Sequence, residues 1–417
     1  MAQRRGACIM RQLIPMGIML LLTTFLAVGT SEGAGHLTRI TYSSSPERRS
    51  DAPDVSSDGN FVAFHSTSDF DGEGIQDYNV WRIDTRTGQM VRISDPLQPG
   101  RVSADAVMSG DGQRVVFRSD GDFLGEGIMD TQYQIWLYDE SASSLLRISN
   151  PIQEGRISVQ PVLSDDGSTI AFISDCDFLG EGIEADNFHV WLYDVPTAML
   201  TRVTSLDGDS IVGENPALTA DGSQVVFESN SDLLGEGLTA GQTEIWHYDV
   251  ATGRYTRITY SPDADRASSF PTISADGSRI VFRSDADFHS EGIPDGQVEI
   301  WVYESENAAL RRMTVSSDEK RACYSPSISS DGSSAVFCSD SDLLGEGIAD
   351  NQFEIWTCSL SDGVIRRISY STGEDRTSVR CATNGDGKIV VFASDSDMEE
   401  EGIVDSQFEL WLWRSGP

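Results

Sequence analysis

Histidine and cysteine are scarce in this chain, 5 and 6 of 417 residues. His36, His65, His189, His247 and His289 fall at unrelated points of the pattern described below. No ring of imidazole metal ligands is therefore expected, and each histidine reads as incidental. Basic residues are also few, 30 Lys and Arg against 66 Asp and Glu, for a net charge of −36. So negative a surface repels phosphate, which excludes nucleic acid as a partner and favours basic ones. Beyond Val28 there is no apolar run long enough to span a bilayer, and no Gly-x-Ser-x-Gly nucleophile elbow occurs anywhere. With 39% hydrophobic and 23% charged residues the chain is nonetheless not a disordered acidic tail.

Residues 1–34 differ from the rest. Arg4, Arg5 and Arg11 precede an apolar stretch from Leu13 to Val28, and small residues follow at Gly29, Gly33 and Ala34. A basic head, a short apolar middle and a small-residue exit predict a secretory signal peptide, leaving residues 35–417 exported to the periplasm or the medium. Pro15 and Gly17 interrupt the stretch, which argues against a membrane anchor. The cysteines after it are Cys176, Cys323, Cys338, Cys358 and Cys381, an odd number. Export permits disulfides, with Cys323 and Cys381 on adjacent first strands as one arrangement. Isolated buried thiols are the favoured reading.

What is abundant is repetition. Trp81, Trp136, Trp191, Trp246, Trp301, Trp356 and Trp411 stand 55 residues apart. Asp-Gly pairs beginning at Asp58, Asp111, Asp166, Asp221, Asp276, Asp331 and Asp386 keep the same period after a first step of 53, and so do Arg39, Arg92, Arg147, Arg202, Arg257, Arg312 and Arg367. Each unit holds four β-branched and aromatic runs separated by turn residues, with no helical period. The second and third runs, such as Arg279–Arg283 and Glu299–Tyr303, are apolar at consecutive positions, so they are covered on both faces. Four-stranded sheets stacked around an axis meet that demand, and the predicted fold is an all-β, seven-bladed β-propeller. The segment from His36 to Thr41 matches a fourth strand, while the last unit stops after its third. The N-terminal strand is therefore expected to complete the last blade and close the ring.

The stretch Val55-Ser56-Ser57-Asp58-Gly59-Asn60-Phe61-Val62-Ala63-Phe64, its six counterparts and the Ile-Trp of the third strands resemble the PD40, or WD40-like, repeat of TolB-type propellers over about residues 37–417. The resemblance implies the fold. It does not imply one activity, because such blades occur in partner-binding proteins, peptidase gates and lyases alike. The sequence carries no pattern for the α/β domain that precedes the propeller in TolB, and Trp-Asp never occurs.

The long loops between second and third strands share one formula, as in Ser339 to Asp350, and contain no Lys or Arg. An Asp recurs at Asp69, Asp122, Asp177, Asp232, Asp287, Asp342 and Asp397, and a Glu at Glu73 and its six counterparts. One reading is calcium, which takes six to eight oxygen ligands. The other, favoured reading is structural: Arg48, Arg101, Arg156, Arg266, Arg321 and Arg376 precede the first strands and bridge these loops.

The positions that the repeat leaves free are more informative about a ligand. Directly before the Pro slot, at the expected upper mouth of the channel, stand Ala52, Asp105, Gln160, Asn215, Phe270, Ser325 and Arg380, all different. A mixed ring of this kind suits a single ligand, with Arg380, Asp105 and Gln160 disposed to hold an anionic or sugar-like group. The leading expectation from sequence is an exported, non-enzymatic propeller that binds a protein or glycan of the envelope and requires no cofactor. Its grounds are the closed ring, the lack of a catalytic constellation and the lack of a second domain. The alternatives are a carbohydrate-active lyase or hydrolase at the mouth, and a calcium-stabilised structural module.

Overall fold

A computed structural model describes residues 35–416 apart from 44, 46, 151–152, 205–212, 240, 264, 317–320, 372–375, 401 and 405. The expected signal peptide, residues 1–34, lies outside the described residues, as does Glu401. The chain forms seven four-stranded antiparallel sheets. In blade one the strands are Ser50–Val55, Phe61–Ser66, Asn79–Asp84 and Met90–Arg92. Blade seven has Ser378–Thr383, Ile389–Ser394 and Glu409–Arg414 in sequence, and the N-terminal strand His36–Arg39 pairs with the last of these. The ring is thus closed by the two ends of the chain, as the repeat register requires.

The repeated residues are the core. Each third-strand Trp is buried and lies opposite the second-strand Phe of its own blade, as in Phe64 against Trp81 and Phe337 against Trp356. In four blades a loop Phe stands edge-on to the Trp, at 4.8–5.1 Å between ring centroids for Phe70, Phe123, Phe178 and Phe288. Such edge-to-face pairs add about 0.5–1.5 kcal/mol beyond the area they bury. The repeated fourth-strand Arg meets the repeated loop Glu in Arg92–Glu73, Arg147–Glu126, Arg202–Glu181, Arg312–Glu291 and Arg367–Glu346. All five described thiols are buried and unbridged.

At the lower end of the channel a ring of backbone hydrogen bonds runs once around the axis. Ser57 N–H donates to Gly110 O and Gly110 N–H to Asp165 O; the chain continues through Asp166, Ala220, Ala275 and Asp331 until Gly385 N–H donates to Ser57 O. The blades approach so closely there that a Cβ on Gly385 would lie 2.8 Å from Ser57 O. Asp165 is the one large residue in this slot, and its carboxylate accepts from Ser57 Oγ and Ser330 Oγ on two other blades, both at 3.2 Å. The lower end is therefore spanned, and a ligand has the opposite mouth to enter by.

Asp54 lies above this floor, partly buried, and accepts the Met108 N–H of the next blade at 2.7 Å. Burial raises its pKa from 3.8 to about 7, against the lowering effect of the Met108 and Val55 amides, with Asp165 adding to the rise. A carboxyl whose pKa is raised on folding binds its proton more tightly in the native state. Its contribution to stability therefore falls as pH rises through the window between those two values. Asp54→Asn should gain stability relative to the wild type between about pH 4 and about pH 7. Parallel urea melts of the two proteins check this, and a difference that does not change with pH would count against it.

Candidate functional site

The seven residues expected at the mouth share one unusual backbone. In every blade the innermost strand slips register against its neighbour, between Asp51 and Asp54 in blade one and at the equivalent place in the other six. Inside each slip the variable residue has a left-handed φ: 45° at Ala52, 54° at Asp105, 50° at Gln160, 48° at Asn215, 53° at Phe270, 48° at Ser325 and 51° at Arg380. Side chains with a Cβ rarely adopt this conformation, at a cost of about 1–3 kcal/mol, and none of the seven is glycine. A bulge re-aims the side chain it carries. The fold therefore turns out, at one height in the channel, the residues that the repeat does not constrain.

These residues divide into two groups. Ala52, Asp105, Ser325 and Arg380 line a hollow of about 270 Å³, floored by Asp54 and Cys381. Around it the charges are interlocked. Asp51 accepts from Arg49 Nη2 at 2.7 Å and lies 3.4 Å from Arg380 Nε across the blade-seven seam. Asp105 pairs with Arg118, whose guanidinium lies over the Tyr133 ring. The Arg380 side chain remains 55% exposed.

Behind Asp51 on the next strand is His65, 8% exposed, edge-on to Tyr78 at 5.3 Å, its Nδ1 buried without a hydrogen-bond partner among the described residues. Burial lowers its pKa below the usual 6.5. The carboxylates of Asp51 and Asp105 oppose that shift, and the guanidinium groups of Arg380 and Arg118 reinforce it. A lowered pKa favours the neutral imidazole, the state a base requires.

Gln160, Asn215 and Phe270 belong to the second group, away from Arg380. Gln160 Oε1 accepts the Asn215 N–H at 2.7 Å. Buried Glu228 accepts Asn215 Nδ2 at 2.9 Å and the Phe270 N–H at 2.6 Å. Its pKa is raised by burial, partly countered by those two donors. Arg283 lies over Phe270 at 4.2 Å and over Tyr324 at 5.0 Å.

The sequence reading took His65 as incidental and did not single out Arg118, Glu228 and Arg283. A signal was present: the position after the second-strand Phe reads His65, Arg118, Ile173, Glu228, Arg283, Cys338, Ala393 and is as unconstrained as the bulge.

The repeated loop aspartates lie elsewhere and are already engaged. Asp122 accepts the N–H groups of Glu126 and Gly127 at 2.8 and 2.9 Å, one on each oxygen, and Asp69, Asp177, Asp232, Asp287 and Asp342 do the same. Asp397 accepts the Gly402 N–H at 2.8 Å. The arginines before the first strands bridge these loops through backbone carbonyls: Arg101 donates to Asp120 O and Ile128 O, and Arg156, Arg266, Arg321 and Arg376 repeat the pattern. Because amides occupy the carboxylate oxygens, melting in chelator and in millimolar calcium should give the same transition temperature. A single calcium site at a hundredfold excess over Kd would add about 2.7 kcal/mol, which such a melt would reveal.

No family model matches the sequence, and no curated protein does. Solved structures do. An oligogalacturonate lyase in complex with manganese superimposes with a TM-score of 0.60 at 15% identity, over 93% of this chain and 94% of that one. The oligogalacturonate lyase of Vibrio parahaemolyticus gives 0.58 at 13% identity, over 91% and 93%. The β-propeller domain of the Trilobed protease from Pyrococcus furiosus gives 0.55 at 12%, over 88% and 95%. The resemblance to TolB-type propellers drawn from the repeats holds as a likeness of fold.

These likenesses correct one expectation. The non-enzymatic reading rested on a closed ring with no second domain. Two enzymes matched over more than nine-tenths of their own length have this ring as nearly their whole structure. A lone propeller is therefore no argument against catalysis. Among the described residues no three His, Cys, Asp or Glu side chains converge to hold a metal ion. No helix among them is long and apolar enough to cross a membrane.

Proposed function

We propose that this protein is a carbohydrate-active lyase that cleaves an acidic oligosaccharide, such as an oligogalacturonate, at the channel mouth. The observation that supports it most is a buried imidazole at His65 one strand behind Asp51, whose carboxylate lies 3.4 Å from the exposed guanidinium of Arg380, above a channel spanned at its lower end. β-Elimination from a uronate needs a cation on the carboxylate and a base for the proton on the adjacent carbon. In this reading Arg380 holds the carboxylate and stabilises the negative charge that builds on it. His65 takes the proton, and the electron pair forms the C4=C5 double bond as the C4–O bond breaks. The leaving oxygen takes a proton from water at the mouth, so one proton is removed and one returned. Net charge favours a basic partner, but the mouth presents guanidinium groups to an acidic unit, Arg49, Arg118 and Arg380 beside Asp51 and Asp105 on one side and Arg283 beside Glu228 on the other. The basic head and apolar stretch within residues 1–34 support placing this activity outside the cytoplasm.

Incubation with trigalacturonate tests the proposal. The expected products include a 4,5-unsaturated uronate, followed by its ultraviolet absorbance, with no oxygen incorporated from labelled water. The acid limb of the pH profile should lie below 6.5, because burial holds the His65 pKa down. Saturated products, or no cleavage, would overturn the reading.

A further inference from the structure

Opposite the His65 side of the ring, blades five and six carry a second arrangement of aromatic and charged side chains. Phe270 is the bulkiest residue in the left-handed slot, at φ 53°, and is 38% exposed. A large aromatic ring held in a costly conformation and left open to the channel is poorly explained by stability. Its backbone is pinned: the Phe270 N–H donates to buried Glu228 at 2.6 Å, and Glu228 is itself steadied by Asn215. The guanidinium of Arg283 covers one face of the ring, held by its Nε donating to Ser269 Oγ at 2.9 Å and by stacking on Tyr324. Among the described residues Arg283 makes no ion pair with a carboxylate, although acidic residues outnumber basic ones 66 to 30. Glu228, the acid that acts on it most, has both oxygens occupied by Asn215 and Phe270.

A preorganised cation over an aromatic ring, with no ion pair to a carboxylate among the described residues, matches one unit of an acidic sugar chain. The carboxylate pairs with guanidinium, and the C–H face of the pyranose packs on the aromatic surface. We propose that Phe270 and Arg283 form a second subsite, which holds the uronate unit next to the one that loses its proton. This assignment rests on the lyase reading above. Blades five and one are separated by two blades on one side of the ring and three on the other, so the two subsites face each other across the mouth. The substrate is accordingly a chain with acidic units in succession, and a single acidic sugar leaves this side empty.

The test compares wild type, Arg283→Gln and Phe270→Leu on trigalacturonate and on trigalacturonate methyl-esterified at the unit neighbouring the cleaved one. Wild type should prefer the free acid, and Arg283→Gln should raise KM for it roughly 10- to 100-fold with kcat little changed, erasing the preference. Phe270→Leu should raise KM for both substrates alike. If wild type cleaves trigalacturonate but Arg283→Gln keeps its KM and its preference, the subsite is wrong and the lyase reading stands. If wild type cleaves neither substrate, both fall. Thermal melts of each variant separate a lost contact from a lost fold.

Discussion

Replacing His65 by Gln should lower kcat on trigalacturonate by about 10²–10⁴-fold, the usual contribution of a positioned general base. Gln is chosen because it preserves most of the volume packed against Tyr78 while it cannot accept a proton near neutral pH. KM should change little, since the carboxylate contact belongs to Arg380. The discriminating readout is the pH profile. In the variant the acid limb assigned to the imidazole should disappear from whatever activity remains. A variant that keeps both its rate and its acid limb would show that the base is another group, with Asp105 the first to examine, because it lines the hollow itself. Arg380→Gln complements this test. Its loss should fall on kcat as well as KM, because the charge on the sugar carboxylate grows as the proton leaves.

The second large effect concerns the seam. Glu409 is fully buried and collects Arg39 Nη2 at 2.9 Å, the Ser43 N–H at 2.8 Å, Gln407 Nε2 at 2.9 Å and Thr41 Oγ1 at 2.6 Å. Three of these four donors lie in the N-terminal segment, so one side chain ties the two ends of the chain together. Glu409→Ala removes the carboxylate that pairs with the buried Arg39 guanidinium and should cost about 3–5 kcal/mol. Glu354 makes the corresponding contacts with Arg367 at 2.6 Å and the Ser371 N–H at 2.8 Å, within a blade whose strands are consecutive. Glu354→Ala should lose a comparable local energy yet leave the ring latched. The distinguishing measurement is limited proteolysis under native conditions: Glu409→Ala should be cut early within residues 35–50, and Glu354→Ala should not. Equal cleavage of both variants would mean that the backbone pairing of the N-terminal strand, rather than Glu409, holds the ring closed.

Much of this architecture could be read without coordinates because a repeat multiplies weak local signals. One Asp-Gly turn or one Trp says little, whereas three markers in register over seven copies determine strand order, blade count and the offset that makes the N-terminal strand complete the last sheet. The same logic singled out Ala52, Asp105, Gln160, Asn215, Phe270, Ser325 and Arg380 as the slots that differ. It also placed Arg101 and its counterparts as loop bridges, although their acceptors are carbonyl oxygens that no sequence pattern displays.

What the sequence determined by itself was therefore the periodic part: hydrophobic period, turn chemistry and ring closure are local properties that survive being read in one dimension. The tertiary structure decided the part that depends on proximity across blades. His65 and Arg380 are 315 positions apart and share a site because the ring brings blade seven against blade one. Their significance also depends on burial and on neighbouring charge, which lower the His65 pKa while Arg380 stays open to a ligand. The left-handed bulge that aims the variable side chains is likewise invisible in composition, because none of its seven residues is the glycine that would have announced it. Non-periodic residues that meet only after closure carry no signal along the chain, and here the proposed chemistry rests on such residues.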